Sequence, residues 1–126
     1  MMKRRARPEA AIQRAVFQHI AARGAPNLFA FAVPNGGYRR RIEAAILKGM
    51  GLRPGVPDVI LVHQGRTYGL ELKAEGGRTS EAKQAAVAAM EAAGAFCAVA
   101  EGLDRALRVL EQWGLLRGHA GGGIDR

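Results

Sequence analysis

Two acids and a lysine, Asp58, Glu71 and Lys73, are the residues of this chain best suited to chemistry. Asp58 follows Pro57 at the end of a loop rich in glycine and proline, and Glu71-Leu72-Lys73 closes a run of alternating apolar residues. Aspartate and glutamate supply hard oxygen donors of the kind Mg²⁺ takes, a few carboxylates with water and phosphate oxygens completing the shell. A lysine beside them can hold a water or help to deprotonate it. A divalent ion at such a place lowers the water's pKa and stabilises charge on a phosphate under attack. The same three residues also allow a plain Lys73–Asp58 ion pair with Glu71 exposed.

The three can meet only if the chain brings them together. Asp58 to His63 and Thr67 to about Lys73 read as strands, joined by a tight turn at Gly65-Arg66. Pairing Gln64 with Thr67 sets Asp58 opposite Lys73 and Ile60 opposite Glu71. Opposed residues share a face, and diagonal neighbours lie within reach of long side chains. Asp58, Glu71 and Lys73 then point to one side at one end of the hairpin. Val59, Leu61, Leu70 and Leu72 form an apolar set on the other side. A one-residue slip would separate the acids and spoil that core together.

The remaining elements frame this hairpin. Pro8 and Glu9 suit a first helical turn, and Ile12, Ala15, Val16, His19 and Ile20 continue at helical spacing to about Arg23. Glu9 lies on the inward face of that helix. It can serve the helix dipole or be a third acid for a metal, with Gln13 a weaker candidate one turn on. Leu28 to Val33 reads as a strand, and Tyr38 to about Lys48 as a helix with Ile42, Ala45 and Ile46 inward. Thr79 or Ser80 can cap a helix running to Ala93, where Gly94 stops it. Ala95 to Ala100 reads as a buried strand and Leu103 to Trp113 as a last helix. The order α-β-α-β-β-α-β-α predicts a three-layer α/β domain with a mixed sheet. Residues 1–7 form a basic arm, 8–113 the domain, and 114–126 a flexible tail.

Composition narrows the partners. The 126 residues make one domain, and 48% are hydrophobic, enough for one core. No apolar run approaches the roughly 20 residues that span a bilayer, and the basic N-terminus leads into a polar helix rather than an apolar signal core. The single cysteine, Cys97, excludes an internal disulfide framework and a cysteine-rich zinc site. A cytoplasmic setting with no membrane partner is expected. The net charge is +8. Lys3, Arg4, Arg5 and Arg7 supply four positives and Arg39, Arg40 and Arg41 three more. Removing those seven from the 19 basic residues leaves 12 against 11 acidic ones, so the excess is clustered. Clustered cations are the footprint of a polyanion partner, most often nucleic acid, although a solvated tail and one basic helix start give the same count. His63, paired with Tyr68 in this register, reads as structural, and His19 as core or interface. Cys97, Phe96 and Trp113 read as packing residues. Tyr38 can pack or touch a sugar or base.

Gly55-Val56-Pro57-Asp58 followed by Glu71-Leu72-Lys73 resembles the PD-(D/E)xK nuclease signature. Asn35-Gly36-Gly37 with the arginine-rich helix start, and the Gly51-to-Asp58 loop, resemble its virus-type replication-repair nuclease (VRR-NUC) branch. The resemblance covers about Pro8 to Trp113. It implies a restriction-endonuclease-like fold in which Asp58 and Glu71 bind Mg²⁺ or Mn²⁺, with the Leu72 carbonyl a further ligand. Lys73 would position or activate the attacking water. Glu9 matches the first-helix acid of that fold, and Gln84 a glutamine kept near the lysine and the scissile phosphate. Arg39, Arg40, Arg41 and Lys83 would contact backbone phosphates, which confers affinity and salt dependence rather than sequence specificity. The implied activity is a structure-selective DNA endonuclease acting on branched, Holliday-junction-like DNA and leaving a 5′-phosphate and a 3′-hydroxyl. A homodimer would place two sites on opposed strands. A flap or end-dependent nuclease and a non-catalytic nucleic-acid-binding module are the alternatives.

Overall fold

The computed structural model describes residues 8–34 and 41–118. The basic arm, Asn35-Gly36-Gly37, Tyr38, Arg39, Arg40 and His119 lie outside the described residues. The elements follow in the expected order: α1 (Pro8–Arg23), β1 (Phe29–Ala32), α2 (Arg41–Gly49), β2 (Val59–His63), β3 (Arg66–Lys73), α3 (Glu81–Ala92), β4 (Phe96–Glu101) and α4 (Leu103–Gln112). They form a four-stranded mixed sheet in the order β1-β2-β3-β4. The first three strands are antiparallel, and β4 runs parallel to β3 after crossing over through α3.

β3 is a central strand, and Tyr68 to Lys73 are all buried. On one face Val59, Leu61, Tyr68, Leu70, Leu72 and Ala100 pack with Val16 of α1 and Ala106, Leu107 and Leu110 of α4. Burying each such leucine contributes about 1.5–3 kcal/mol, so this face anchors the hairpin. The other face of β3 carries Gly69, Glu71 and Lys73 and lies under α3. A Cβ on Gly69 would meet Pro57 Cγ at 2.8 Å and both Cys97 Sγ and Met90 Cε at 3.3 Å, so α3 can approach only over a residue without a side chain.

The hairpin turns one residue earlier than the sequence suggests. Gln64 and Gly65 are the turn residues, at φ 52° and 80°, and His63 pairs with Arg66. Positive φ at both central positions is the pattern of a type I′ turn, whose twist matches the strands. Val59 therefore faces Leu70 instead of Leu72, and Leu61 rather than His63 faces Tyr68. One step beyond Val59 and Leu70 lie Asp58 and Glu71, so Glu71, not Lys73, is Asp58's neighbour across the hairpin. The shift is of two pairing positions, and an even shift keeps each side chain on its face. The apolar set and the chemical set stay on opposite sides.

Three other expectations change. Ile42 and Ile46 are 72% and 57% exposed, and among the described residues α2 makes no extensive contact with another element. Its apolar side is left uncovered by the described residues. Phe96 is likewise exposed beside Tyr68, with the Arg66 guanidinium over its ring at 5.8 Å. The packed chain continues past Trp113. Leu115 and Leu116 are buried, and Leu116 forms a bridge with Gly24 that ties the segment after α4 to the end of α1. His63 and His19 are structural: His63 Nε2 lies 3.1 Å from the Pro26 carbonyl, and His19 Nδ1 accepts from Arg23. Cys97 is half-buried, and burial is the main cause that pushes its thiol pKa up, away from reactivity. Among the described residues no helix is long and apolar enough to cross a membrane.

Candidate active site

Asp58 enters the site from a loop fixed at both ends. Pro57 is fully buried, and the Asp58 carbonyl accepts from the Val33 N–H at 2.8 Å. Gly55, at φ 83°, lies so close to α3 that a Cβ there would stand 2.4 Å from the Ala82 carbonyl oxygen. The glycine-rich loop therefore leans on the first turn of α3. The Asp58 side chain reaches β3, where Oδ2 accepts from the Leu72 N–H at 2.8 Å.

Glu71 is fully buried in β3. Its Oε2 is met by Lys83 Nζ at 2.6 Å, while Oε1 is buried with no hydrogen-bond partner. Burial is the foremost influence on Glu71 and pushes its pKa above the ordinary value. The hydrogen bond from Lys83 opposes that rise, and the Asp58 carboxylate adds to it by charge and by hydrogen bonding. The two acids are thus close enough to act on each other.

Lys73 is nearly buried, and its Nζ donates to the Arg78 carbonyl rather than to an acid. The plain Lys73–Asp58 ion pair with an exposed Glu71 is therefore not what this hairpin forms. Glu9 is exposed at the rim, where its Oε2 accepts from the Ala74 N–H at 3.4 Å, a long bond. Gln84 is exposed on α3 and donates to the Thr79 carbonyl at 3.2 Å. Gln13 lies in a shallow groove along α1 with Ala10 and Phe17. Arg41 begins α2, and Lys3, Arg4, Arg5, Arg39 and Arg40 lie outside the described residues.

The structure thus brings Asp58, Glu71 and Lys73 together at one end of the hairpin, with Glu9 and Gln84 at the margin. Sequence reasoning missed what Lys83 does. It was expected on phosphates and instead holds Glu71. The signal was Ser80, whose side chain accepts from the Lys83 N–H at 3.2 Å and so fixes the phase of α3.

The donor set suits a divalent cation. Asp58 and Glu71 supply hard oxygens, Glu71 Oε1 is an orphaned buried carboxylate oxygen, and an ammonium already stands against its partner oxygen. Among the described residues no three His, Cys, Asp or Glu side chains converge on one point, so two carboxylates form the core of the set.

A mixed sheet with helices on both faces and an acidic pair at the end of its central hairpin defines an α/β protein with a carboxylate site. Solved structures share this fold. One, described as a VRR_NUC domain protein, superposes with a TM-score of 0.72 at 21% identity over 87% of this chain and 90% of its own. Another, described as a VRR_NUC domain, gives 0.60 at 16% identity over 86% of this chain and 99% of its own. No family model and no curated protein matches the sequence.

Proposed function

We propose that this chain is a divalent-metal-dependent DNA endonuclease of the VRR-NUC type. The observation that carries the reading is the convergence of Asp58 and Glu71, with Lys73, at the end of one hairpin. Two structures that share the fold and are described by that domain name support it.

Asp58, Glu71 and the Leu72 carbonyl would hold Mg²⁺ or Mn²⁺. When bound, the ion acidifies a water and stabilises charge on the phosphate being cut. Asp58 and Glu71 supply the negative charge that recruits the ion. Lys73 Nζ, anchored through the Arg78 carbonyl at the strand end, orients the attacking water and favours its deprotonated form. Glu9 adds negative charge at the rim. Gln84 Nε2, one turn beyond the α3 cap, faces solvent, where it can donate to a phosphate oxygen. Arg39, Arg40 and Arg41 bind the backbone without reading bases, and Lys3, Arg4 and Arg5 extend that contact.

The substrate we infer is branched DNA of the Holliday-junction kind, cut by a homodimer. The exposed apolar side of α2 supports self-association. The test is cleavage of labelled four-way junction, flap, single-stranded and duplex DNA with Mg²⁺, Mn²⁺ or EDTA, beside an Asp58→Ala control. Metal-dependent, paired symmetric nicks on the junction, lost in the control, are expected. Preference for flaps or ends would replace the junction reading. Salt-sensitive binding without cleavage would make the chain a binding module.

A further inference from the structure

The Ser80 cap fixes Lys83 in the first turn of α3. A cation there is opposed by the positive end of the helix dipole, and extending into water is its cheapest course. Lys83 does otherwise. Its side chain is only 25% exposed, and Nζ reaches 2.6 Å from Glu71 Oε2. The ammonium therefore sits against Glu71, whose neighbour across the hairpin is Asp58. A divalent cation held by Glu71 and Asp58 would seek the same field. Lys73 Nζ instead donates one hydrogen bond to the Arg78 carbonyl.

We propose that Lys83 is a built-in counter-ion that occupies the cation position against Glu71 and must be displaced for a divalent ion to bind. The proposal rests on the metal-dependent reading above and deepens it. Without metal, Lys83 makes a fully buried carboxylate tolerable. With metal, it competes, so the affinity of the site is set below what its two acids would otherwise give.

The test is calorimetric titration of Mn²⁺ and of Ca²⁺, without DNA, into the wild type and Lys83→Met. The variant is expected to bind at least about tenfold tighter, since one opposite charge near a carboxylate is worth that order. Equal or weaker affinity overturns the proposal. A second measurement needs no variant. Labelling of Lys83 by an amine-acetylating reagent, read by mass spectrometry, should be slow without metal and several-fold faster in saturating Mn²⁺. In an Asp58→Ala background Mn²⁺ should not speed it. Labelling of the wild type that ignores Mn²⁺ also overturns the proposal. Metal-dependent cleavage with equal affinities defeats the counter-ion alone. Absence of metal binding and of cleavage in both proteins defeats the nuclease reading and the counter-ion with it.

Discussion

The Asp58 carboxylate accepts from the Leu72 backbone N–H at 2.8 Å, so the first acid of the site is tied to the strand that carries the second. One oxygen of Asp58 does structural work while the charge remains for a cation. These roles separate by mutation. Asp58→Asn keeps an acceptor oxygen and loses the charge. It should fold with little change in denaturant midpoint and lose at least the roughly 10–100-fold in metal affinity that even outer partners of a metal site confer. Asp58→Ala loses both, and should in addition cost about 1–2 kcal/mol of stability. Equal stability losses for the two variants would show that the Leu72 bond contributes nothing.

Gly55 makes the second prediction. It combines a positive φ with a position where a Cβ would fall 2.4 Å from the Ala82 carbonyl oxygen and 2.9 Å from the Lys83 nitrogen. Both neighbours are backbone at the start of α3 and cannot swing aside. Gly55→Ala should cost about 2–4 kcal/mol, from overpacking together with left-handed strain. Gly51→Ala, also at positive φ but with open space around it, should cost only the strain, about 1–2 kcal/mol. Urea unfolding of the pair measures the difference.

Glu71 makes stability depend on pH. Burial, foremost, holds its folded pKa above the ordinary 4.5. A group raised in this way binds more protons folded than unfolded. Its contribution is complete below the unfolded pKa and is lost as pH rises through the folded one. Glu71→Gln has no such titration. Without metal, the variant should gain on the wild type as pH rises past 4.5 and hold a constant lead above the folded pKa. It should melt higher at neutral pH and gain nothing from Mn²⁺. Parallel melting curves from about pH 4 to about pH 8 would show that burial of this carboxylate carries no penalty.

How far the sequence could be read depends on what each signal measures. Alternation in Val59, Leu61, Leu70 and Leu72 reports which face is buried. It therefore placed Asp58, Glu71 and Lys73 on one side even though the turn was misplaced. Register is finer. It depends on Gln64 adopting positive φ, a conformation that Asn, Asp or Gly would have advertised and Gln does not. Periodicity likewise marks α2 as amphipathic but cannot say whether its partner belongs to the same chain. That is why Ile42 and Ile46 read as inward and are exposed. Lys83 was hidden for another reason. A lysine on a helix looks solvated until the phase of the helix over the neighbouring strand is known.

The arginine cluster should govern affinity without governing sequence choice. Each cation that neutralises a phosphate releases a counterion and adds about 0.9 to the slope of log affinity against log salt on duplex DNA. Arg39→Ala and Arg40→Ala should each lower that slope by about one, by similar amounts on unrelated sequences. Fluorescence anisotropy over a salt series in EDTA reads the slope with cleavage suppressed. A sequence-dependent loss would place these arginines on bases instead.

The apolar side of α2 makes the last prediction. Ile42 and Ile46 lie one turn apart on α2 and Met50 in the turn just past its end, and the three are 72%, 57% and 77% exposed. Phe29 and Phe31, with rings 5.8 Å apart, are exposed on the edge strand β1. Edge strands and apolar stripes left open in this way favour association. A second copy of the chain would cover the stripe with its own and give a twofold interface. Light scattering should then find a mass near twice 13.4 kDa for the wild type at micromolar concentration. Ile46→Glu places a charge on this apolar side, at a side chain that is 57% exposed. It should halve the measured mass while leaving the melting temperature of the monomer's core and the metal affinity of each site in place. If the junction is cut by paired sites, the same variant should nick one strand at a time. A wild type that is monomeric with and without DNA would remove the dimer and leave the site of Asp58 and Glu71 to act alone.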